Sequence, residues 1–245
     1  MNRLLMLVAA CVTALAQDPR QIMEEVQRRQ HADSQHYEGT LEVVSSAAGN
    51  RIATKRWVFD RIGSNGNSKG MLRFTVPAEV KGVGLLIFNH PDRASDQWMW
   101  RPNIGREQRI ALQDRSTRFF GTDFSFEDLE ERDVAQFDFK QLGDEQGAWK
   151  LESRPRKSSQ YTYSYLWVKK DNYTVTRVES YNKKGLVRSI EYSDFAVVNG
   201  ILSARTTAVT DVARGSKTTL KYDKLEYNTA MKDADFTLDA LRRGP

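Results

Sequence analysis

From Thr40 to Tyr227 the sequence repeats one pattern, and this pattern limits the possible folds more than any other feature. Thirteen short segments alternate apolar and polar residues, and turn sequences such as Asn199-Gly200 separate them. Side chains two apart in a strand point to the same face, so the alternation predicts strands, and the short turns predict antiparallel neighbours. A sheet this long must close into a barrel or curl around something that covers its apolar face.

Two helices are predicted to supply that cover. Asp18 followed by Pro19 is a typical helix start and predicts a helix of about three turns. Its apolar residues share one side: Ile22, Met23 and Val26. Ser125, with Asp128 three residues later, predicts an N-cap and a second short helix. The predicted fold class is mainly β: a single curved antiparallel sheet that forms an incomplete, half-open β-barrel, with the two helices as a lid.

The first sixteen residues have the plan of a secretory signal peptide. One Arg precedes a run of apolar and small residues, so export with cleavage after Ala16 is expected, leaving one domain over residues 17–245. The residues before Cys11 also fit the pattern that precedes a lipidated cysteine. Against lipidation, the apolar stretch before Cys11 is short and apolar sequence continues after it. Cleavage after Ala16 would leave a chain without cysteine, which excludes disulfides.

Charge and composition exclude one class of partner. The chain has 245 residues, 40% of them hydrophobic, and a mean hydropathy of −0.61, which is typical of a globular protein. The net charge is +5, but Lys and Arg are spread along the chain. Proteins that read nucleic acid usually carry a basic patch or stripe, so no nucleic acid is expected as a partner. The mild positive charge suits a surface near anionic lipid.

The groups that could carry chemistry are few. The chain has three histidines: His31, His36 and His90. Their spacing is poor for metal binding, so neither a metal nor a cofactor is expected. An acidic run is the other candidate: Asp123, Glu127, Asp128, Glu130 and Glu131. Paired carboxylates can perform acid and base catalysis, but acids in the first turns of a helix also favour its dipole, and we prefer this structural interpretation. No catalytic residue is assigned.

Large apolar residues are the predicted ligand-binding groups. Four pairs, each two residues apart, are expected to wall an apolar cavity: Trp57 and Phe59, Leu72 and Phe74, Leu86 and Phe88, Trp98 and Trp100. Each pair also fits an ordinary core. A barrel interior large enough for all of them could instead be a cavity of the kind that lipid-like ligands need.

Three ordered motifs give the sequence a family resemblance. They are PAEVKGVGLLIF at residues 77–88, DQWMWRPNIGREQRI at 96–110 and FFGTDFSFEDL at 119–129, followed by ADFTL at 234–238. Together they resemble the bacterial outer membrane lipoprotein-sorting protein family, relatives of the LolA and LolB carriers. The resemblance implies a LolA-like half-barrel in the periplasm whose interior receives acyl chains. It places four phenylalanines at the lid and mouth: Phe119, Phe120, Phe124 and Phe126.

The function that this resemblance implies is a non-enzymatic carrier, a monomer that binds the acyl chains of a lipoprotein or another envelope lipid and moves them toward an outer-membrane acceptor. No residue maps onto the arginine that pins the lid in LolA itself. Members of the wider family tend to accompany RND-type lipid exporters. An adaptor of such an inner-membrane exporter, with a self-filled sheet, is therefore the alternative. A hydrolase that uses the acidic run is a third hypothesis.

Overall fold

The structure is a computed structural model that describes residues 17–45, 49 and 51–244. The predicted signal peptide and Cys11 lie outside these residues. Two α-helices are present in the described part, α1 Pro19–Arg29 and α2 Leu238–Arg243. The strands are β1 Ser34–Ser45, β2 Arg51–Ser64, β3 Asn67–Val76, β4 Gly84–Asn89, β5 Asp96–Arg101, β6 Arg106–Arg109, β7 Phe137–Glu145, β8 Ala148–Pro155, β9 Tyr163–Lys169, β10 Val175–Asn182, β11 Gly185–Val198, β12 Ile201–Asp211 and β13 Ser216–Tyr227.

All thirteen strands join one antiparallel sheet, in the order β6-β5-β4-β3-β2-β1-β13-β12-β11-β10-β9-β8-β7. The order describes two meanders that meet where β1 pairs with β13, with Leu41 opposite Leu220. We call β1–β6 the N-terminal half-sheet and β7–β13 the C-terminal half-sheet. The sheet stays open, because β6 and β7 stand at its two ends. The predicted fold class, mainly β with an incomplete barrel, is confirmed.

The segment that joins the two edges, residues 110–136, is here called the connector. It runs from β6 to β7 and packs against the sheet through Phe119, Phe124 and Phe126. We call the face of the sheet against which the connector packs the inner face, and the opposite one the outer face. Successive residues of β4 alternate between the two: Leu85 and Ile87 lie in the core on the inner face, and Leu86 and Phe88 lie on the outer face.

Helix α1 covers a different part of the inner face. Asp18 caps it, since its carboxylate accepts a hydrogen bond from Arg20 N at 2.9 Å, and Pro19 occupies the first turn, as predicted. Its buried residues, Ile22, Met23 and Val26, pack on Trp149 and Leu151 of β8 and Val168 of β9. The helix therefore covers the far end of the C-terminal half-sheet.

The outer face of β3–β5 is covered by the C-terminal segment. Phe236 and Leu241 are fully buried there against Met71 and Leu86. Thr237 caps α2 by accepting from Ala240 N. Both faces of β3–β5 are thus buried, the inner face by the connector and the outer face by α2 and the residues before it.

The second predicted helix has a different form. Ser125 and Asp128 do make the reciprocal cap: Ser125 N donates to Asp128 Oδ2 at 2.7 Å, and Asp128 N donates to Ser125 Oγ at 3.3 Å. However, the turn is a single 3-10 turn, Glu127–Leu129, and Glu130 is already extended. The second α-helix of the described chain is α2. The acidic side chains that follow Ser125 reach tertiary partners, and this overrides local helix preference.

Candidate functional site

The connector fills the inner face of the N-terminal half-sheet with aromatic rings. Phe119 is 0% exposed and stacks on Phe74 with ring centroids 5.3 Å apart. Phe124 lies 5.7 Å from Trp57, and Phe126 lies 5.5 Å from Phe119. Burial of each ring contributes about 1.5–3 kcal/mol, so this filling is a large part of the stability of that half.

A tight turn presents these rings to the sheet. Phe119 N donates to Phe124 O at 2.8 Å, and Thr122 N donates to Phe119 O at 3.0 Å. Phe120 and Gly121 at the tip have φ values of +45° and +72°, the left-handed region in which glycine is most easily accommodated. On the sheet opposite, Gly39 leaves room for Leu220 and Trp57, because a Cβ there would lie 2.5 Å from Leu220 Cδ1 and 3.3 Å from the indole nitrogen.

Two carboxylates of the acidic run bind the connector to the C-terminal half-sheet. Asp123, fully buried, accepts from Ser216 and from Thr218 Oγ1 at 2.7 Å on β13, and pairs with Arg118. Asp128 pairs with Arg188 of β11, whose side chain is 3% exposed.

Tyr161 completes this group, since its hydroxyl donates to Asp128 Oδ1 at 2.7 Å. Burial and the adjacent Asp128 carboxylate raise the pKa of Tyr161, so it stays a neutral donor. The Arg188, Asp128 and Tyr161 side chains are here called the latch.

The other three carboxylates also have partners. Glu127 accepts from Arg132 at 2.6 Å and from Gln160 N at 2.9 Å. Glu130 pairs with Arg115 at 2.9 Å, and burial raises its pKa.

Glu131 pairs with Arg61 at 3.2 Å and accepts from Ser68. Every acid of the run therefore holds the connector in place. This supports the structural interpretation of the run over a hydrolytic one.

A cavity lies beside α1 on the inner face of the C-terminal half-sheet. Its volume is about 360 Å³. The apolar lining residues come from α1 and from β9 to β13: Val26, Leu166, Val175, Val178, Phe195, Leu202, Ala204 and Leu225. The polar lining residues are all uncharged amides and hydroxyls: Gln30, Gln35, Thr174, Tyr192, Ser203, Thr207, Tyr222 and Tyr227. This composition fits an apolar ligand with few polar contacts.

Most of the cavity hydroxyls satisfy one another. Tyr227 and Ser203 hydroxyls are 2.9 Å apart, and those of Tyr222 and Thr207 are 3.3 Å apart. Burial raises the pKa values of Tyr192, Tyr222 and Tyr227 above the ordinary value of 10, so the phenols remain neutral near pH 7. None of these tyrosines is activated as a nucleophile or a base.

The cavity lies where the sheet divides. β12 pairs with β13 from Asp211 opposite Ser216 up to Thr206 opposite Lys221, and residues 201–205 lie beyond the end of this pairing. Beyond that point, side chains connect the two strands. For example, Arg205 Nη2 on β12 donates a hydrogen bond to Tyr222 O on β13 at 3.0 Å. Gln30 at the end of α1 donates to Leu202 O at 2.9 Å. Helix α1 thus covers the cavity through a hydrogen bond to a strand carbonyl.

The predicted wall residues lie elsewhere. Trp57, Phe59, Leu72 and Phe74 are on the inner face of the N-terminal half-sheet, packed in or against the core that contains the connector phenylalanines. Leu86, Phe88, Trp98 and Trp100 are on the outer face, packed with Phe236 and Leu241. None of the eight is among the residues that line the cavity beside α1. Their role in ligand binding stays a prediction, and the same holds for Phe119, Phe120, Phe124 and Phe126.

The sequence contains a weak signal for the lining of the cavity beside α1. Thr, Ser and Tyr alternate with apolar residues on β10 to β13, as at Ser203 and Thr207. Such residues are usually assigned to a solvent face, because hydroxyls are mostly exposed. Only their position opposite α1 distinguishes a lining from a surface.

Neither a cluster of metal ligands nor a membrane-spanning helix is found among the described residues. The described residues contain no group of three or more His, Cys, Asp or Glu side chains arranged to hold a metal ion. Among the same residues, no helix has the length and apolar character needed to cross a membrane.

An open antiparallel sheet with a connector across one half of its inner face and a helix-covered cavity in the other has the LolA-like fold. A crystal structure from Vibrio parahaemolyticus, described as an outer membrane lipoprotein-sorting protein domain, matches with a TM-score of 0.86, 26% identity and coverage of 92% of this chain and 98% of that one. A DUF1329 family protein from Desulfovibrio piger matches with a TM-score of 0.85 and 24% identity, covering 91% and 97%. A LolA superfamily protein from Nitrosomonas europaea matches with a TM-score of 0.75 and 20% identity, covering 92% and 100%.

One family model matches residues 66–243, and the chain belongs to that family, which is described as "Uncharacterized protein"-like. No curated protein matches the sequence. The sequence resemblance to the outer membrane lipoprotein-sorting proteins is confirmed by the solved relatives.

Proposed function

We propose that the protein is a periplasmic carrier that binds the acyl chains of a lipoprotein or another envelope lipid in the cavity beside α1 and moves them toward the outer membrane. The observation that carries the proposal is the cavity itself, about 360 Å³ with an uncharged lining, half of whose residues are apolar. Removing apolar surface from water contributes roughly 25 cal/mol per Å², so such a cavity can hold an acyl chain without any reactive group.

A carrier fits the chemistry of the site better than an enzyme. The phenols in the cavity have raised pKa values, and the carboxylates of the connector are already bonded to the fold. Nucleophilic or general base catalysis needs a group whose pKa is shifted toward neutrality and which faces the substrate. The hydroxyls here can orient a ligand by hydrogen bonding.

Helix α1 is the element that we assign to loading and release. It lies over the cavity through Val26 and Gln30, and it is attached to β12 by the hydrogen bond from Gln30 to Leu202 O. A lipid that binds better when α1 is displaced shifts the helix outward, and an acceptor that binds the released chain shifts it back. The outer-membrane acceptor would therefore need to compete only for the acyl chain.

The location rests on the first sixteen residues. We propose that they are a signal peptide cleaved after Ala16, which leaves residues 17–245 as a single periplasmic domain. The intact mass of the exported protein tests this, because cleavage after Ala16 and acylation at Cys11 give different masses. A mass that includes acyl groups on Cys11 would replace a freely diffusing carrier with a tethered one.

Lipid extraction tests the carrier function. The protein is exported from its full gene, purified without detergent, extracted with organic solvent and analysed by mass spectrometry. We expect an acyl-containing lipid in stoichiometric amount. The variant Val178→Trp, which places an indole in the cavity, is expected to carry none, whereas Ile52→Trp on an exposed position of β2 should keep it. A wild-type protein that carries no lipid and binds none added would contradict the proposal.

The filled N-terminal half-sheet favours a second function, an adaptor of an inner-membrane exporter of the RND type. Its inner face is occupied by the connector, as expected for a sheet that holds no cargo. The same extraction decides between the two, because an adaptor would bind the exporter with or without Val178→Trp and would yield no lipid.

A further inference from the structure

The size of the cavity limits how much lipid it can hold. A methylene group takes up about the 30 Å³ share of a water molecule in the liquid. A volume of about 360 Å³ therefore accommodates one chain of roughly a dozen carbons. The three chains of a triacylated lipoprotein would need about three times that volume.

The connector fills the inner face of the N-terminal half-sheet. Phe119, Phe124 and Phe126 occupy it as buried rings. Asp123 is bonded to β13 and Asp128 to β11, so the connector is held in the middle of this aromatic segment and just after its end. A second or third chain could enter only by displacing rings and breaking buried ion pairs. The cavity beside α1 is thus a site for one chain.

The lining indicates what the polar end of that chain carries. The polar lining residues are amides and neutral hydroxyls. A carboxylate or phosphate placed among them would lose its hydration without gaining a cation, which is unfavourable. An ester or hydroxyl group loses far less hydration free energy on burial, and it can accept or donate a hydrogen bond in the cavity.

One lining residue marks a place for such a group. Thr174 is 4% exposed, and within the described part of the chain its hydroxyl has no hydrogen-bond partner. Its backbone is fixed on both sides, since Thr174 N donates to Asn172 Oδ1 at 3.0 Å and Thr174 O accepts from Lys169 N at 2.8 Å. Buried polar groups are nearly always hydrogen-bonded, so this hydroxyl calls for a ligand atom.

We propose, building on the carrier function above, that the cargo is a single-chain lipid with an uncharged ester head, the chain lying along the cavity and the ester carbonyl accepting a hydrogen bond from Thr174. A monoacylglycerol is the simplest member of this class. A three-chain lipoprotein anchor exceeds this volume and would need the latch to open before it could bind.

Titration of the delipidated, exported protein with defined probes tests the assignment. The probes are 1-monolauroylglycerol, laurate at pH 7.5 and a tripalmitoylated lipopeptide, each followed by calorimetry and native mass spectrometry. We expect monolauroylglycerol to bind at one per protein and at least tenfold more tightly than laurate. The tripalmitoylated probe should not displace it. If the tripalmitoylated probe binds as tightly as monolauroylglycerol, the single-chain assignment is overturned, while the carrier function stays intact.

A series of monoacylglycerols tests the cavity length separately. Affinity should rise from eight to about twelve carbons and stop rising beyond that, because further methylenes remain outside a volume of about 360 Å³. A continuous rise to eighteen carbons would show a larger site and overturn the assignment.

Thr174→Val tests the hydrogen bond without changing the shape of the side chain. Loss of one hydrogen bond of about 1 kcal/mol should weaken monolauroylglycerol binding about fivefold. Laurylbenzene, which has the chain but no ester, should bind both proteins equally.

The matched control is Thr206→Val, on the opposite face of β12 from Thr207, which should bind like the wild type. Equal binding by Thr174→Val and wild type would refute the role of Thr174. If no acyl probe binds at all, the carrier function fails and this inference fails with it.

Discussion

The two half-sheets share a strand pattern and differ in what covers them. β1–β6 carry an aromatic inner face that the connector fills with Phe119, Phe124 and Phe126. β7–β13 carry a mixed inner face, which the connector contacts through Asp123 and Asp128 and which the eleven-residue helix α1 covers in part. A helix of that length spans about 16 Å, so α1 covers β8 and β9 and leaves a space toward β13. A covering element that is too short for its sheet can therefore create a binding cavity.

The largest expected difference between the halves concerns identical Phe→Ala changes. Phe119→Ala should lower the free energy of unfolding by about 3–5 kcal/mol, because it opens a hole in a fully packed core. Phe195→Ala, which lines the cavity and is half-buried, should cost less than about 1.5 kcal/mol and reduce acyl binding instead. Urea denaturation and lipid titration measure both. Equal losses of stability would show that the cavity is as well packed as the core.

The latch joins the two halves, and its removal should have an effect of similar size. Arg188→Ala leaves the Asp128 carboxylate buried without its partner, which typically costs about 3–5 kcal/mol. Hydrogen exchange of the connector should accelerate. Arg154→Ala, which removes an exposed pair with Glu152, is the control and should cost at most about 1 kcal/mol. A similar, small effect of both variants would mean that the connector is held by its phenylalanines alone.

Replacing a small residue by a large one should show a smaller difference between the two halves, in the same direction. Val83→Trp forces an indole into the filled core and should cost about 1–3 kcal/mol. Val178→Trp projects into the cavity and should cost under about 1 kcal/mol while abolishing acyl binding. Thermal and urea unfolding give the comparison. Destabilisation by Val178→Trp as large as that by Val83→Trp would argue against an open cavity.

The smallest effect is expected from pH and lies on the outer face. The hydrogen bond from Arg242 lowers the pKa of Glu107 from 4.5 to about 2, and it attaches α2 to β6. A lowered carboxyl pKa stabilises the folded state above pH 4.5, and this contribution disappears as the pH falls from there to about 2.

NMR spectra of α2 should therefore change between pH 4.5 and 2, and Glu107→Gln should reduce that change. Amide signals of cavity residues such as Thr207 should stay constant, because the lining has no carboxylate. A shift of the cavity signals over the same range would show that the two faces are coupled.

The strands were predictable because their signals are local. Alternation and turn residues fix where a strand begins and ends, and the predicted turn at Asn199-Gly200 does separate β11 from β12. The start of α1 at Asp18 and Pro19 was predictable for the same reason. The helix expected after Ser125 was wrong in extent, since Asp128 and Glu130 bind distant arginines and draw the chain out of a helix.

The cavity could not be located from the sequence. In β4 the run Leu85-Leu86-Ile87-Phe88 is apolar on both faces, so alternation cannot show which face is inner. The structure assigns Leu86 and Phe88 to the outer core and Leu85 and Ile87 to the inner one. The lining of the cavity contains Thr207 and Tyr222, which resemble surface residues until α1 is placed over them.

The sequence by itself determined an antiparallel sheet of thirteen strands, the capped start of α1 and an aromatic segment between β6 and β7. These depend on neighbours within a few residues. The tertiary structure alone decided which half-sheet is filled and which stays hollow. That outcome depends on how far the connector and α1 reach across the sheet, and on buried ion pairs between residues such as Asp128 and Arg188 that lie 60 positions apart.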